Sequence, residues 1–246
     1  METLADPIAE GARIAEAAAA REVPLRLLGG VAVALSCPSS GQPPLRREYG
    51  DIDFATRSAA RKEVAELLQG LGYLPDREFN TLYGHRRLYF ADSHHQRQVD
   101  VFVDGANLCH RIDFRPRLET VPLTLSLADL ALMKLQVVET NEKDYLDLCA
   151  IFADHDLTED DVGVNYRYIA ELCAADWGLW RTVGSVAERT AGFALELPAF
   201  DAAGLVADRL RRLRAKLDTV PKSRRWKLRS RVGERKRWYE IPEEVH

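Results

Sequence analysis

The chain has 246 residues, of which 46% are hydrophobic, and its formal net charge is −4. This apolar content is sufficient for a buried core, which excludes an intrinsically disordered chain. The longest apolar run near the N-terminus, residues 17–20, is too short for a signal peptide or a membrane span. We therefore expect a globular, cytoplasmic protein that makes no use of a membrane.

The charge is unevenly distributed along the sequence. Residues 209–246, here called the basic tail, contain 14 Lys and Arg against 5 Asp and Glu, which leaves −13 on the first 208 residues. Such a segment predicts an electrostatic surface for a polyanion. The alternative is an ordinary solvated helix whose charges pair with the acidic part of the chain. Aromatic residues within the tail are expected either to stack on bases or to anchor a core.

The four cysteines lie far apart in the sequence, at positions 37, 109, 149 and 173. None forms a Cys-x-x-Cys pair, and no Cys/His spacing is typical of a zinc site. We expect reduced, mostly buried thiols.

Hydrophobic periodicity predicts a mixed α/β segment followed by a helical one, with a boundary near residue 120. The predicted fold is therefore a small mixed sheet flanked by helices in residues 1–120 and a helical domain with the basic tail in residues 121–246. In chain order, the expected elements are a helix at 8–20, a strand at 25–28, a short helix at 31–35, a strand at 51–54, a helix at 59–71, a hairpin of strands 86–90 and 98–103, and helices at 126–138, 143–153, 166–191 and 202–217.

Two sequence features near the N-terminus predict a site for a metal ion and a nucleotide. Gly29-Gly30 ends the first strand, and glycines allow the backbone to approach a phosphate at the start of the following helix. Asp51 and Asp53 are separated by one residue, so on a strand they point to one face, roughly 6.5 Å apart at Cα. Paired carboxylates favour a divalent cation, and Mg²⁺ binds carboxylate and phosphate oxygens.

A third carboxylate lies on the second strand of the predicted hairpin. Asp100 occupies the face opposite Val99 and Val101, and it joins the same site if this strand pairs with the strand of Asp51 and Asp53. Asp104 is a rival further along the chain, but Asp100 is preferred because it follows the apolar start of the strand. Arg86 and Arg87, on the first hairpin strand, are interpreted as solvated or as facing an acceptor rather than as catalytic.

A lysine interrupts the apolar face of the helix at 126–138. Lys134 falls near the middle of an arc of leucine, alanine and valine side chains, where an unpaired ammonium group is costly to bury. It must therefore reach the surface or meet an anion, either a nucleotide phosphate or a carboxylate. Asp144 and Asp147, neighbours on the surface of the next helix, are the candidate carboxylates, and a Lys134–Asp147 ion pair joining two helices is the purely structural alternative.

These segments, taken in order, resemble the DNA polymerase β superfamily of nucleotidyltransferases, and within it the AbiEii/AbiGii-like toxins of type IV toxin–antitoxin systems. The resemblance covers residues from about 25 to 155. Three positions depart from the usual pattern of the family: Gly50 in place of Ser or Thr, Asp129 in place of Glu, and Lys143 in place of Arg. The matching segments are Gly29-Gly30 to Asp51-Ile52-Asp53, Val99-Asp100-Val101, Ser126-Leu127-Ala128-Asp129 to Lys134, and Lys143-Asp144-Tyr145-Leu146-Asp147.

The resemblance implies a role for each matching residue. Asp51 and Asp53 would bind Mg²⁺ or Mn²⁺, and Asp100 would hold a second ion or act as the base toward the attacking hydroxyl. Lys134 would neutralise the triphosphate, and Asp147 would orient Lys134 or contact the nucleotide. Arg47, four residues before Asp51, could reach a phosphate. Gly29 and Gly30 would lie beside the nucleotide.

The implied activity is a magnesium-dependent transfer of a nucleoside monophosphate from a nucleoside triphosphate to an acceptor hydroxyl, with release of pyrophosphate. An RNA acceptor such as a tRNA end, bound through the basic tail, and a cognate antitoxin protein are the partners that the resemblance implies. Two alternatives stay open. One is an antibiotic-type enzyme with a small-molecule acceptor, and the other is a catalytically inactive nucleotidyltransferase-fold module that binds nucleic acid or a partner.

Overall fold

A computed structural model describes residues 2–241, and the last five residues of the predicted basic tail lie outside this range. The chain divides into two compact units. The first comprises Met1–Ser36, Glu48–Ala106 and Ile112–Ser126, and the second comprises Cys37–Arg47, Asn107–Arg111 and Leu127–His246.

The first unit contains a five-stranded mixed sheet, which confirms the mixed α/β class. Its strands run β1 (Leu25–Leu28), β2 (Asp51–Thr56), β3 (Leu74–Pro75), β4 (Arg87–Asp92) and β5 (Arg97–Val103). Their order in the sheet is β1-β2-β5-β4-β3. The β2–β5 pair is parallel, whereas the β1–β2, β4–β5 and β3–β4 pairs are antiparallel. The predicted hairpin at 86–103 is therefore present, with its second strand added beside β2.

Four helices accompany this sheet: α1 (Pro7–Ala19), α2 (Gly29–Ser36), α3 (Arg61–Gly70) and α4 (Arg77–Tyr83). Helix α1 packs against β1, α2 and α3. It begins where Asp6 accepts hydrogen bonds from the backbone N–H groups of Ile8 and Ala9 and where proline occupies the first helical position, as helix starts favour. The core side of the sheet is apolar, and Ile52, Phe54, Val99 and Val101 are fully buried there. Asp51, Asp53 and Asp100 alternate with these residues along β2 and β5, so they point to the opposite side.

The second unit is helical in the residues that the structure describes. Its helices are α5 (Leu127–Leu135), α6 (Glu142–Asp154), α7 (Tyr166–Ala175), α8 (Trp177–Glu196), α9 (Ala203–Lys216) and α10 (Arg224–Val232). Helix α8 packs along α9 and also contacts α5, α6 and α7. Two short strands, Leu157–Thr158 (β8) and Val164–Asn165 (β9), also belong to this unit. Gly105–Asn107 (β6) and Arg111–Asp113 (β7) each have residues in both units.

The single helix predicted over 166–191 is in fact two. Asp176 adopts an extended conformation between α7 and α8, and its side chain accepts hydrogen bonds from the backbone N–H groups of Gly178 and Leu179. A short polar side chain that accepts hydrogen bonds from the first free N–H groups of a helix favours the start of a new helix over continuation of the preceding one. The apolar periodicity continues through this point, so it does not reveal the break.

The four cysteines are buried and form no disulfide, as their spacing predicts. Burial raises the pKa of the thiols of Cys37 and Cys149 to about 12. A thiol with such a pKa is a poor nucleophile at neutral pH, so these two side chains serve packing.

Candidate active site

Asp53 and Asp100 lie directly opposite each other in the sheet. The parallel register of β2 and β5 pairs Asp53 with Asp100 and Asp51 with Gln98. Opposite residues on adjacent strands point to the same face, and the strands are about 4.8 Å apart. The sheet therefore brings together Asp51, Asp53 and Asp100, which we call the acidic face. Asp51 is exposed, Asp53 is half-buried, and Asp100 is 3% exposed.

The turn from β1 into α2 is built around the carboxylate of Asp53. Leu28, the last residue of β1, is opposite Asp53 in the antiparallel register, and α2 begins at the next residue, Gly29. Gly29 has a φ of +71°, and a Cβ atom added to it would lie 2.2 Å from Asp53 Oδ2. Only glycine both adopts this φ readily and leaves room for the carboxylate. The Gly29-Gly30 segment and Asp53 thus belong to one local structure.

The position of α2 suits a negative charge. Its apolar residues Val31, Ala32 and Val33 are buried, which fixes the helix in the first unit. The N-terminal turn of a helix presents backbone N–H groups and a partial positive charge. The Asp53 carboxylate lies against the first residue of this turn. The same end of the helix is therefore favourable to an anion, whether a carboxylate or a phosphate.

Arg87 is the residue of this site that the sequence interpretation did not assign. Its Nε atom donates a hydrogen bond of 2.7 Å to Asp100 Oδ1, and its guanidinium carbon lies 5.2 Å from the centre of the Phe102 ring. Burial of the guanidinium would lower the pKa of Arg87, but the hydrogen bond and charge of Asp100, together with the charge of Asp53, hold it above the usual value. Arg87 therefore carries a positive charge beside the acidic face.

Replacing Arg87 with methionine is expected to destabilise the protein, because Asp100, whose side chain is 4% exposed, would lose its charged partner. The guanidinium is itself 32% exposed, so we expect a modest loss of about 1–2 kcal/mol, measured by urea denaturation. Arg86→Met is the matched control, since Arg86 is exposed, and it should change the stability by less than about 0.5 kcal/mol. Equal effects of the two variants would contradict this role of Arg87.

The rival carboxylate, Asp104, has a structural role. It has a φ of +62°, and its Oδ1 accepts a 2.9 Å hydrogen bond from the backbone N–H of Ser58. Its backbone N–H donates to Thr56, and its carbonyl accepts from Phe114. Asp104 therefore shapes the end of β5 and the loop after β2.

In the second unit, Lys134 is enclosed by carboxylates. Its Nζ atom lies 2.9 Å from Asp144 Oδ1 and 3.0 Å from Asp147 Oδ2. Burial would lower the pKa of Lys134, but the charges of Asp147 and Asp144 and their hydrogen bonds raise it above the usual value. Asn141 caps α6 and exchanges hydrogen bonds with Asp144, which fixes that carboxylate. Both carboxylates that the sequence made candidate partners of Lys134 therefore contact it.

Arg47 completes this group of charges, which we call the Lys134 network: Lys134, Asp144, Asp147 and Arg47. The guanidinium of Arg47 donates from Nε to Asp147 Oδ1 (2.8 Å) and from Nη2 to Asp147 Oδ2 (2.9 Å). Such bidentate pairing is strong and directional. Asp147 is 2% exposed and the Arg47 side chain 12% exposed, so the pair is largely shielded from water. The sequence assigned Arg47 to a phosphate and did not foresee this contact.

No protein-family model and no curated protein matches the chain. Among solved structures, a candidate nucleotidyltransferase from H. pylori is 11% identical, with a TM-score of 0.36 over 88% of this chain and 97% of its own. JHP933 from Helicobacter pylori is 10% identical, with a TM-score of 0.38 over 86% of this chain and 90% of its own. Similarity at this level does not bear on the activity of this chain. None of these comparisons supports membership of the AbiEii/AbiGii-like family.

In residues 2–241, no helix is long and apolar enough to cross a lipid bilayer.

Proposed function

We propose that this chain is a nucleotidyltransferase that moves a nucleoside monophosphate from a nucleoside triphosphate to an acceptor hydroxyl. The observation that carries the proposal is the register of β2 and β5, which places Asp53 opposite Asp100 on one face of the sheet. The Gly29 turn adds a helix start directly against Asp53. Clustered carboxylates beside an anion-favouring helix start suit a cation bound together with phosphate oxygens.

The carboxylates of Asp51 and Asp53 suit a Mg²⁺ or Mn²⁺ ion. Magnesium sites that act on nucleotides commonly use one or two carboxylates, with phosphate oxygens and waters completing the octahedron. Asp51 and Asp53 provide two such carboxylates, and Asp51 is exposed to solvent. Within residues 2–241, no group of three acidic, histidine or cysteine side chains is arranged to hold a metal ion without further ligands. The proposed site therefore depends on the triphosphate to complete it.

Each residue of the acidic face has a part in the proposed reaction. Asp51 and Asp53 would hold the ion, which when bound would supply charge stabilisation for an in-line displacement at the α-phosphorus. Asp100 would hold a second ion or accept the proton of the attacking hydroxyl. Arg87 would position Asp100 through its hydrogen bond to Oδ1 and limit the negative charge of the face. The leaving group would be pyrophosphate.

The roles of Lys134, Asp147 and Arg47 in nucleotide binding stay part of the proposal. Lys134 would contribute its charge to the triphosphate, with Asp147 orienting it, and Arg47 would reach a phosphate only by leaving its bidentate contact with Asp147. The assignment of Lys134 is therefore best tested by separating two effects of Lys134→Met, the loss of stability and a rise in the KM for the triphosphate.

The arginine on Asp100 favours a second candidate function. An acidic face partly neutralised by Arg87 also suits a protein of nucleotidyltransferase fold that no longer catalyses and binds a nucleic acid or a partner protein. The intact Asp51 and Asp53 favour the enzyme, because a surface that only binds a polyanion gains nothing from clustered negative charge.

The experiment that separates the two candidates is label transfer. The purified chain is incubated with Mg²⁺, each of the four α-labelled nucleoside triphosphates, and either total cellular RNA or small-molecule hydroxyl acceptors, and the labelled products are separated. The proposed enzyme transfers label from at least one triphosphate, and chelation of the metal by EDTA abolishes transfer. Absence of transfer to RNA and to small-molecule hydroxyl acceptors, together with no metal-dependent triphosphate binding, would favour the binding module.

An RNA acceptor, a toxic effect on the host cell and a cognate antitoxin belong to the same proposal. The support for an RNA acceptor is the basic tail, in which α10 alone has five Lys and Arg among nine residues. The size and sequence of the labelled RNA would identify the acceptor directly.

A further inference from the structure

A pocket in the second unit lies among the aromatic and basic residues of the chain's C-terminal part. It has a volume of about 460 Å³ and is formed by the segment before β7, the junction of α7 and α8, one side of α10 and residues 237–240. Small-molecule sites in proteins range from about 300 to 1,000 Å³. The pocket is thus large enough for a ligand of nucleotide size.

The walls of the pocket are held by specific contacts. Trp238 Nε1 donates a hydrogen bond to Thr182 Oγ1, and the backbone N–H of Glu240 donates to the carbonyl of Cys109. A Cβ atom at Gly178 would lie 2.5 Å from the carbonyl oxygen of Trp238, so glycine is needed for the 237–240 segment to approach α8. The segment is therefore anchored to the helices of this unit and is not a loose tail.

Arg229 reinforces the same wall. Its Nη1 and Nη2 atoms donate 2.7 Å hydrogen bonds to the carbonyls of Gly233 and Lys236, and its guanidinium carbon lies 4.7 Å from the centre of the Trp177 ring. The guanidinium of Arg229 is therefore held by contacts within the protein. The aromatic surfaces of Trp226, Trp238 and Tyr239 remain half-buried at the pocket, so each ring keeps an accessible part.

The pocket has an excess of uncompensated positive charge. Three arginines that line it, Arg111, Arg225 and Arg237, form no ion pair with any residue in 2–241. Its acidic residues are Glu240 and Asp176, and the carboxylate of Asp176 is engaged by two N–H groups at the start of α8. Residues 222–237 around it contain nine Lys and Arg and one Glu. An anion is therefore attracted to this pocket.

One buried donor at the pocket lacks a partner. The indole Nε1 of Trp226 is shielded from solvent and has no hydrogen-bond acceptor in the part of the chain that the structure describes. A buried N–H without an acceptor is costly, and an indole nitrogen can only donate. Trp226 lines the pocket, so a turn of the ring on binding would bring this N–H group to an acceptor oxygen or nitrogen of the ligand.

We propose that this pocket is a nucleotide-binding site, in which an aromatic base lies against the tryptophan and tyrosine rings and a phosphate contacts Arg225 and the other unpaired arginines of the lining, Arg111 and Arg237. Base–aromatic stacking combined with arginine contacts to phosphate is the chemistry of nucleotide and single-strand recognition. The ligand is either a free mononucleotide or one residue of a single-stranded nucleic acid. The inference does not depend on the proposed transferase activity, since its residues lie outside the acidic face.

The test is calorimetric titration of the full chain in EDTA, which excludes metal-dependent binding. The probes are the four ribonucleoside 5′-monophosphates, the matching nucleosides, inorganic phosphate, and hexanucleotides of each base. We expect a mononucleotide or a hexanucleotide to bind at least about 10-fold more tightly than the nucleoside or phosphate, because both parts of the ligand are used. Binding of mononucleotides identifies a free ligand, and binding of hexanucleotides alone identifies a strand.

Arg225→Glu and Arg224→Glu form a matched pair of variants, because they are adjacent exposed arginines in the first turn of α10 and only Arg225 lines the pocket. We expect Arg225→Glu to weaken binding at least about 10-fold and Arg224→Glu less than about 3-fold. Trp226→Phe keeps a ring but removes the indole donor, and should cost about 2- to 10-fold. Equal effects of the two glutamate variants, equal affinity for inorganic phosphate, or no binding of any nucleotide would overturn the proposal.

Discussion

Asp53→Asn is expected to reduce nucleotidyl transfer by at least about 100-fold. The substitution removes a charged ligand of the divalent ion, and this ion would stabilise the negative charge that develops in the reaction. Asparagine has nearly the shape of aspartate, so it fits against Gly29 as Asp53 does, and the thermal unfolding temperature should stay close to that of the wild type. Initial rates of label transfer at saturating Mg²⁺, together with a thermal melt of the same preparation, measure both quantities.

Asp113→Asn is the matched control for this prediction. Asp113 lies in the same unit but in β7, which is not a strand of the five-stranded sheet; its side chain is 40% exposed, and it pairs with Arg115. The control should retain the wild-type rate within about 2-fold, since surface substitutions away from functional groups have small effects. Wild-type turnover in Asp53→Asn, or the same loss in both variants, would remove Asp53 from the reaction.

Asp147→Asn is expected to destabilise the protein by about 3 kcal/mol, the typical cost of removing one partner from a buried ion pair. Asp147 is 2% exposed and contacts both Lys134 and Arg47. With asparagine in its place, Lys134 and Arg47 would each lose a charged contact. Thermal and urea denaturation measure the loss, which should appear as a fall in Tm of several degrees.

Two further variants test the cause of this loss. Asp208→Asn removes an exposed carboxylate that pairs weakly with Arg212, at 3.8 Å, and should cost less than about 0.5 kcal/mol. Removing Arg47 as well as Asp147 should be less harmful than the sum of the two single substitutions, because each single substitution breaks the same Arg47–Asp147 contact. Additive effects would mean that the Arg47–Asp147 contact contributes little to stability.

Local patterns predicted the elements that form the acidic face. The strand at 25–28 is found at those residues, because a short apolar run follows Val23-Pro24 and ends at a double glycine. Alternation along 98–103 placed Asp100 opposite the apolar face, and the structure pairs it with Asp53. These features depend on neighbours within a few positions, and a single sequence contains them.

Contacts between distant segments could not be predicted in the same way. Arg47 meets Asp147 a hundred positions along the chain, and nothing near Arg47 indicates that partner. Residues 37–47 belong to the helical unit although they lie between two strands of the sheet.

The contact between Arg87 and Asp100 could not be predicted because it depends on the register of the hairpin. On the hairpin Arg87 is paired with Phe102 and reaches Asp100 diagonally, which can be seen only once the register is known.

The central claim is that the acidic face binds a triphosphate together with a divalent ion. Equilibrium binding of a triphosphate whose α–β bridge cannot be cleaved tests it most directly, with and without Mg²⁺, in the wild type and in Asp53→Asn. We predict binding in the wild type that requires Mg²⁺ and is lost in the variant. Binding that is equally tight without the ion, or equally tight in Asp53→Asn, would contradict the claim.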